Sequence, residues 1–142
     1  MPRREFFFWI ALLAVTSIGL ACNNISPRRL QSISVSPATA DAQSSPNGQV
    51  QFTATGTYNT QPITVTPLQA NWGTADQNGG ATTAVTIDAN GLAECTAGAS
   101  GVYSIGAWHL IDPNAGVTCA SIGPFGEPGC NAVLGTAQLT CP

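Results

Sequence analysis

Residues 49–58 read Gln-Val-Gln-Phe-Thr-Ala-Thr-Gly-Thr-Tyr, in which Val50, Phe52, Ala54, Gly56 and Tyr58 alternate strictly with Gln49, Gln51, Thr53, Thr55 and Thr57. Successive side chains of a strand point to opposite faces, so this period of two predicts a half-buried β-strand with one face in a core and the other in water. A helix would scatter the same residues around its circumference. Thr, Ser, Gly, Ala and Val dominate the rest of the chain, charged residues make up only 8%, and Leu, Lys, Glu and Arg are scarce. The local preference is therefore for strands.

Weaker alternations recur between turn signals. Ile33 and Val35 interleave with Ser32, Ser34 and Ser36 until Pro37, which reads as an edge strand. A connection over residues 38–48 follows. Ile63 and Val65 predict a short third strand, and the stretch around Ala70 and Trp72 a fourth. After the loop Asp76-Gln77-Asn78-Gly79-Gly80, Val85 and Ile87 lead into Asp88-Ala89-Asn90-Gly91, a compact turn in which Gly91 takes the positive φ that a Cβ disfavours. Leu92 to Cys95 resumes a strand. Tyr103, Ile105 and Ala107 alternate with Ser104 and Gly106, and Ala137, Leu139 and Cys141 share one face of a last strand. Short strands at this spacing predict a single all-β sandwich domain.

The N-terminus has another character. Arg3 and Arg4 precede an apolar run over residues 6–20, a length suited to a signal-peptide h-region and too short for a comfortable membrane span. Gly19 and Ala21 provide the small side chains that permit cleavage before Cys22. The box Gly19-Leu20-Ala21-Cys22 resembles a bacterial lipoprotein signal, although that pattern prefers Leu where Gly19 stands. The resemblance implies a lipidated Cys22 as mature N-terminus; the alternative is an ordinary secretory cleavage that leaves Cys22 as an odd fifth cysteine. The chain thus divides into a signal peptide over 1–21, expected to be helical, a polar tether over 22–29 and a domain over 30–142. The expected location is the cell envelope or the extracellular side, with a lipid anchor in a bacterial membrane.

All four basic residues, Arg3, Arg4, Arg28 and Arg29, precede residue 30, whereas the domain carries six acids and no Lys or Arg. Phosphate backbones are gripped by Lys and Arg, so nucleic acid is excluded as a partner.

Taken in order, Leu30-Gln31-Ser32-Ile33-Ser34-Val35-Ser36-Pro37, Gly48 with Phe52-Thr53-Ala54-Thr55-Gly56-Thr57-Tyr58, Thr64-Val65-Thr66, Trp72, Val85-Thr86-Ile87-Asp88-Ala89-Asn90-Gly91-Leu92, Gly101 with Ile105 and Ala107, and Ala137-Gln138-Leu139-Thr140 resemble the bacterial immunoglobulin-like domains of group 2. The resemblance spans nearly all of residues 30–142. It implies an immunoglobulin-like sandwich of about seven strands, used in surface, adhesive or spacer proteins, with Trp72 buried between the sheets, no catalytic residues and no cofactor.

Two features depart from that pattern. A Gly- and Pro-rich loop over residues 109–131 replaces a short hairpin between the last two strands. The domain also holds Cys95, Cys119, Cys130 and Cys141, an even number that in an exported protein reads as two disulfides with three possible connectivities. The favoured pairing is Cys119 with Cys130, stapling the loop, and Cys95 with Cys141, tying the strand after Gly91 to the last strand. A four-cysteine zinc site is the rival, disfavoured because no Cys-x-x-Cys occurs.

His109 is the only histidine, so a nucleophilic triad would need it as base for Ser104 or Ser121, and no Gly-x-Ser-x-Gly elbow is present. The chain is read as a non-enzyme. Asp76, Asn78, Asp88, Asn90, Asp112 and Asn114 offer oxygen ligands to calcium, but none fits an EF-hand, and such residues populate turns for their own backbone bonds. Trp108 has the opposite parity to Ile105 and Ala107, which turns it away from the core toward the inserted loop; with Phe125 it is the candidate for stacking on a sugar ring or a partner side chain. Two readings follow: a structural or adhesion-type surface module, and a glycan- or protein-binding module acting through the loop. Exposed, ordered aromatics would favour binding, and a loop folded flat onto the sheet the spacer.

Overall fold

The computed structural model describes residues 27–111 and 122–142. Residues 1–26, with the expected signal helix and Cys22, lie outside them, as do Cys119 and Ser121. The strands are β1 (Leu30–Ser36), β2 (Thr39–Asp41), β3 (Gln49–Gln51), β4 (Thr53–Tyr58), β5 (Thr64–Val65), β6 (Asn71–Ala75), β7 (Val85–Ile87), β8 (Leu92–Cys95), β9 (Gly101–Leu110) and β10 (Ala132–Cys141). No helix among the described residues is long and apolar enough to cross a membrane.

The alternation over residues 49–58 forms one strand broken at Phe52. Phe52 leaves both ladders, yet its N–H donates to the Gly91 carbonyl at 2.8 Å, so parity is kept and Val50, Phe52 and Ala54 all face inward. The break lets one strand serve two partners: β3 pairs with β8, which pairs with β7, while β4 pairs with β1 and β5. These two three-stranded sheets, continuous through the strand at Phe52, form the back layer, or back sheet. The front sheet runs β2-β10-β9-β6, with every pairing antiparallel except that of β2 with β10. After Pro37 the chain crosses from the back sheet to the front within a few residues, so the edge strand expected at Ile33 and Val35 continues in the opposite layer. This layout is an immunoglobulin-like sandwich.

In β1 an irregularity between Leu30 and Ser32 resets the parity, which is why Leu30 and Ile33 both point inward. The fully buried Phe52, Val85, Ile105 and Leu139 meet between the layers. Burying each such side chain stabilises by about 1.5–3 kcal/mol before conformational entropy is set against it. A Cβ on Gly135 would strike the Ile33 carbonyl, so β10 and β1 cross in backbone contact there.

Trp72 departs from expectation. It faces the core side of β6, but β6 is the outer strand of its sheet, and the ring is only partly buried, packed where a Cβ on Gly91 would sit. Gly91 holds φ at +84°. The inserted loop is also shorter than expected, because β9 runs through His109 to Leu110 and Asn131 already accepts from the Ile111 N–H at 3.0 Å.

Cys95 and Cys141 form the expected disulfide, joining β8 of the back sheet to β10 of the front sheet across 5.9 Å between Cα atoms. It closes a loop of 46 residues' separation, for which the chain-entropy account gives about 4 kcal/mol. Replacing both cysteines by Ser is expected to lower the unfolding free energy by about that amount, measured by urea denaturation of oxidised protein. A loss under about 1 kcal/mol would show that the sandwich does not depend on the clasp.

Candidate functional site

The inserted loop ends in a small hairpin laid on the outer face of the front sheet. Ile122 bridges Pro128, the Gly123 N–H donates to the Glu127 carbonyl at 2.8 Å, and the Gly126 N–H returns to the Gly123 carbonyl at 3.0 Å. Glu127 is the one buried charged residue among those described, and its Oε2 accepts from the Phe125 N–H at 2.9 Å while its carboxylate covers Gly123. An acid at this point of the chain therefore builds the loop rather than solvating it. From the sequence alone Glu127 is expected to be one more solvating acid in a loop, and its burial corrects that expectation.

The hairpin seats Phe125 on two glycines. Gly73 and Gly106 are cross-strand partners on β6 and β9, and both face outward. A Cβ on Gly106 would enter the Phe125 ring, and one on Gly73 would strike the Phe125 carbonyl. The Trp108 Nε1–H donates to that same carbonyl at 3.2 Å. Both aromatics proposed from sequence are thus brought together, partly buried and engaged with each other's segment. The pair of glycines was the signal that could have located the loop: two adjacent positions without side chains on one face make a trough for a third layer.

Trp72, Trp108 and Phe125 also border an open groove of about 360 Å³, rimmed by Asn71 and Asp88. Asp88 is already employed. Its Oδ1 accepts from the N–H groups of Asn90 at 2.8 Å and Leu92 at 2.9 Å, and the Gly91 N–H donates to its carbonyl. Asp76 repeats the arrangement with Asn78 and Gly80, both at 2.8 Å, and Gly79 at φ +78°. These calcium candidates sit in two separate turns that they themselves organise, and Asp112 and Asn114 lie outside the described residues. Among the described residues no three of His, Cys, Asp and Glu gather as a metal site.

Comparison of the chain with protein-family models and with curated proteins finds no match. Function has to be argued from the site.

Ser104 and His109 stand on the same strand five residues apart. An odd separation puts them on opposite faces about 17 Å apart, so they cannot form a nucleophile and base pair. His109 instead donates from Nδ1 to the Leu110 carbonyl at 2.8 Å. Cys95 and Cys141 are consumed by their disulfide and Cys130 is disulfide-bonded as well, which takes three of the four sulfurs out of the zinc reading. Cys119, the expected partner of Cys130, lies outside the described residues.

Two predictions follow from this geometry. Gly106→Ala leaves the strand conformation acceptable but displaces Phe125, and is expected to cost about 1–3 kcal/mol. In a Phe125→Ala background the same change should cost under about 0.5 kcal/mol, and strictly additive losses would refute the seating. The second concerns Asp88, whose carboxyl is held below its ordinary value chiefly by the Leu92 N–H, with Asn90 and Gly91 adding to it. A folded-state value below the unfolded one means stability that is complete above the unfolded value and is lost as pH falls through the folded one. The stability gap between wild type and Asp88→Ala should hold steady above about pH 5 and narrow toward about pH 2. A gap unchanged across that range would show that ionisation of Asp88 does not support the turn.

Proposed function

We propose that the protein is an exported, lipid-anchored bacterial surface protein whose immunoglobulin-like domain, of the group 2 kind, acts as a non-catalytic structural or adhesion-type module. The observation that supports this reading is the described end of the inserted loop, the hairpin from Ile122 to Pro128, which packs on the sheet with Phe125 sunk over Gly73 and Gly106 and its backbone held by Trp108 and Glu127. A hairpin spent on packing adds a local third layer to the sandwich. The inter-sheet disulfide at Cys95 and Cys141 supports the same reading, since it suits a domain kept in an oxidising compartment without a large core. The charge-poor surface, free of Lys and Arg beyond Arg29, argues against nucleic acid.

A second reading rests on the groove between Trp72, Trp108 and Phe125. Aromatic faces beside the Asn71 amide and the Asp88 carboxylate suit a sugar ring or a protein side chain. A screen of surface glycans and proteins against the mature protein, repeated with Trp108→Ala, separates the two readings: a ligand lost with Trp108 makes the loop a binding device.

The anchor is tested by detergent-phase partitioning. Wild type should enter the detergent phase, and Cys22→Ala should release the protein or block its maturation. Recovery of wild type in the aqueous phase with an unmodified N-terminal cysteine would overturn lipidation.

A further inference from the structure

The last residues of the expected tether are not free. Asn59, in the turn between β4 and β5, accepts from the Arg29 N–H through Oδ1 at 2.7 Å, donates from Nδ2 to the Pro27 carbonyl at 3.2 Å and from its own N–H to the Arg29 carbonyl at 3.1 Å. Arg28 lies 3.6 Å above the Tyr58 ring and donates from Nη2 to the Pro62 carbonyl at 2.8 Å. The chain therefore enters the domain clamped in a fixed place and direction. Only residues 23–26 separate Cys22 from Pro27. Five Cα-to-Cα links reach at most about 18 Å.

The strand register shows what shares that end of the sandwich. Leu30 pairs with Tyr58 there, and Ala132 pairs with Leu110, whereas Gly101 pairs with Cys141 at the opposite end. The large apolar side chains exposed among the described residues are Ile63, Ile111, Ile122 and Leu134. Ile63 is in the β4–β5 turn beside Pro62, Ile111 follows β9, Leu134 is the third residue of β10, and Ile122 is at the base of the hairpin leading back to it. Arg28 and Arg29 join them, both exposed. Of the described acids, Asp41, Asp76 and Glu94 lie toward the disulfide end and Glu127 is buried, whereas Asp88 follows the end of β7 that points away from the disulfide and borders a groove with Trp108, the partner of Leu134. Asp112 is outside the described residues. Scattered apolar side chains are ordinary on a surface. Ile63, Ile111 and Leu134 nonetheless fall toward the end that carries both bases.

We infer that this end of the sandwich is a membrane-facing surface, apposed to anionic lipid headgroups through Arg28 and Arg29 with Ile63 and its neighbours at the contact, while the disulfide end points away from the bilayer. The inference rests on the lipid-anchored reading. A tether of at most about 18 Å keeps this end close to the headgroups, and the exposed arginines sense their charge wherever they come within a Debye length of about 8–10 Å. Strands of ten residues then carry the far end about 33 Å outward.

The test uses the full-length protein matured with its own leader and reconstituted in phosphatidylglycerol vesicles. Gln61→Cys and Ala97→Cys, exposed positions at the near and far ends, are each labelled with a fluorophore and challenged with lipid bearing a nitroxide headgroup. Quenching at position 61 should exceed that at 97 about threefold or more, given the separation of the ends. The contrast should fall in phosphatidylcholine vesicles. Protein that floats with the vesicles but shows equal quenching, or stronger quenching at 97, would overturn the orientation and leave the anchor standing. Protein that does not float with vesicles at all would overturn both.

Discussion

The unbroken antiparallel pairing of β9 with β10, ten residues against ten, is the constraint on which the rest of the sandwich depends. It fixes which residues of the front sheet face the core: Ile105, Ala107, Ala137 and Leu139 on one side, and Gly106 and Trp108 on the other. A slip of one residue would turn every one of these around. The same register places the inserted loop at one end and Cys141 at the other. Core, loop seat and disulfide are thus consequences of a single alignment.

Much of this was legible because the side-chain period of a strand is two and the domain has few residues that argue for anything else. The alternation at 50–58, 103–107 and 137–141 predicted strands that are present, and Asp88-Ala89-Asn90-Gly91 predicted a turn with Gly91 at positive φ. Parity also turned Trp108 outward. What parity cannot supply is depth. It put Trp72 on the correct face, but exposure depends on how many strands flank it, and β6 has a neighbour on one side only. Likewise the break at Phe52 leaves the alternation intact, so nothing local announces that β3 and β4 serve different partners.

The loop's seat depended on relations between distant residues. Gly73 and Gly106 form a trough only once β6 and β9 are in register, and Glu127 becomes a buried ligand of the Phe125 N–H only once the hairpin closes. Read singly, a glycine in a strand and an acid in a loop are unremarkable. The pairing of Cys95 with Cys141 was a choice among three connectivities, which the meeting of β8 and β10 at one end resolves.

That disulfide has a mechanical meaning. Force applied to one end of an antiparallel strand, perpendicular to its ladder, can unzip the hydrogen bonds one at a time, which takes little load. A pull on β10 from beyond Cys141 meets the covalent link first and is passed to β8 in the opposite layer. The sandwich is reinforced at the end where peeling would otherwise begin.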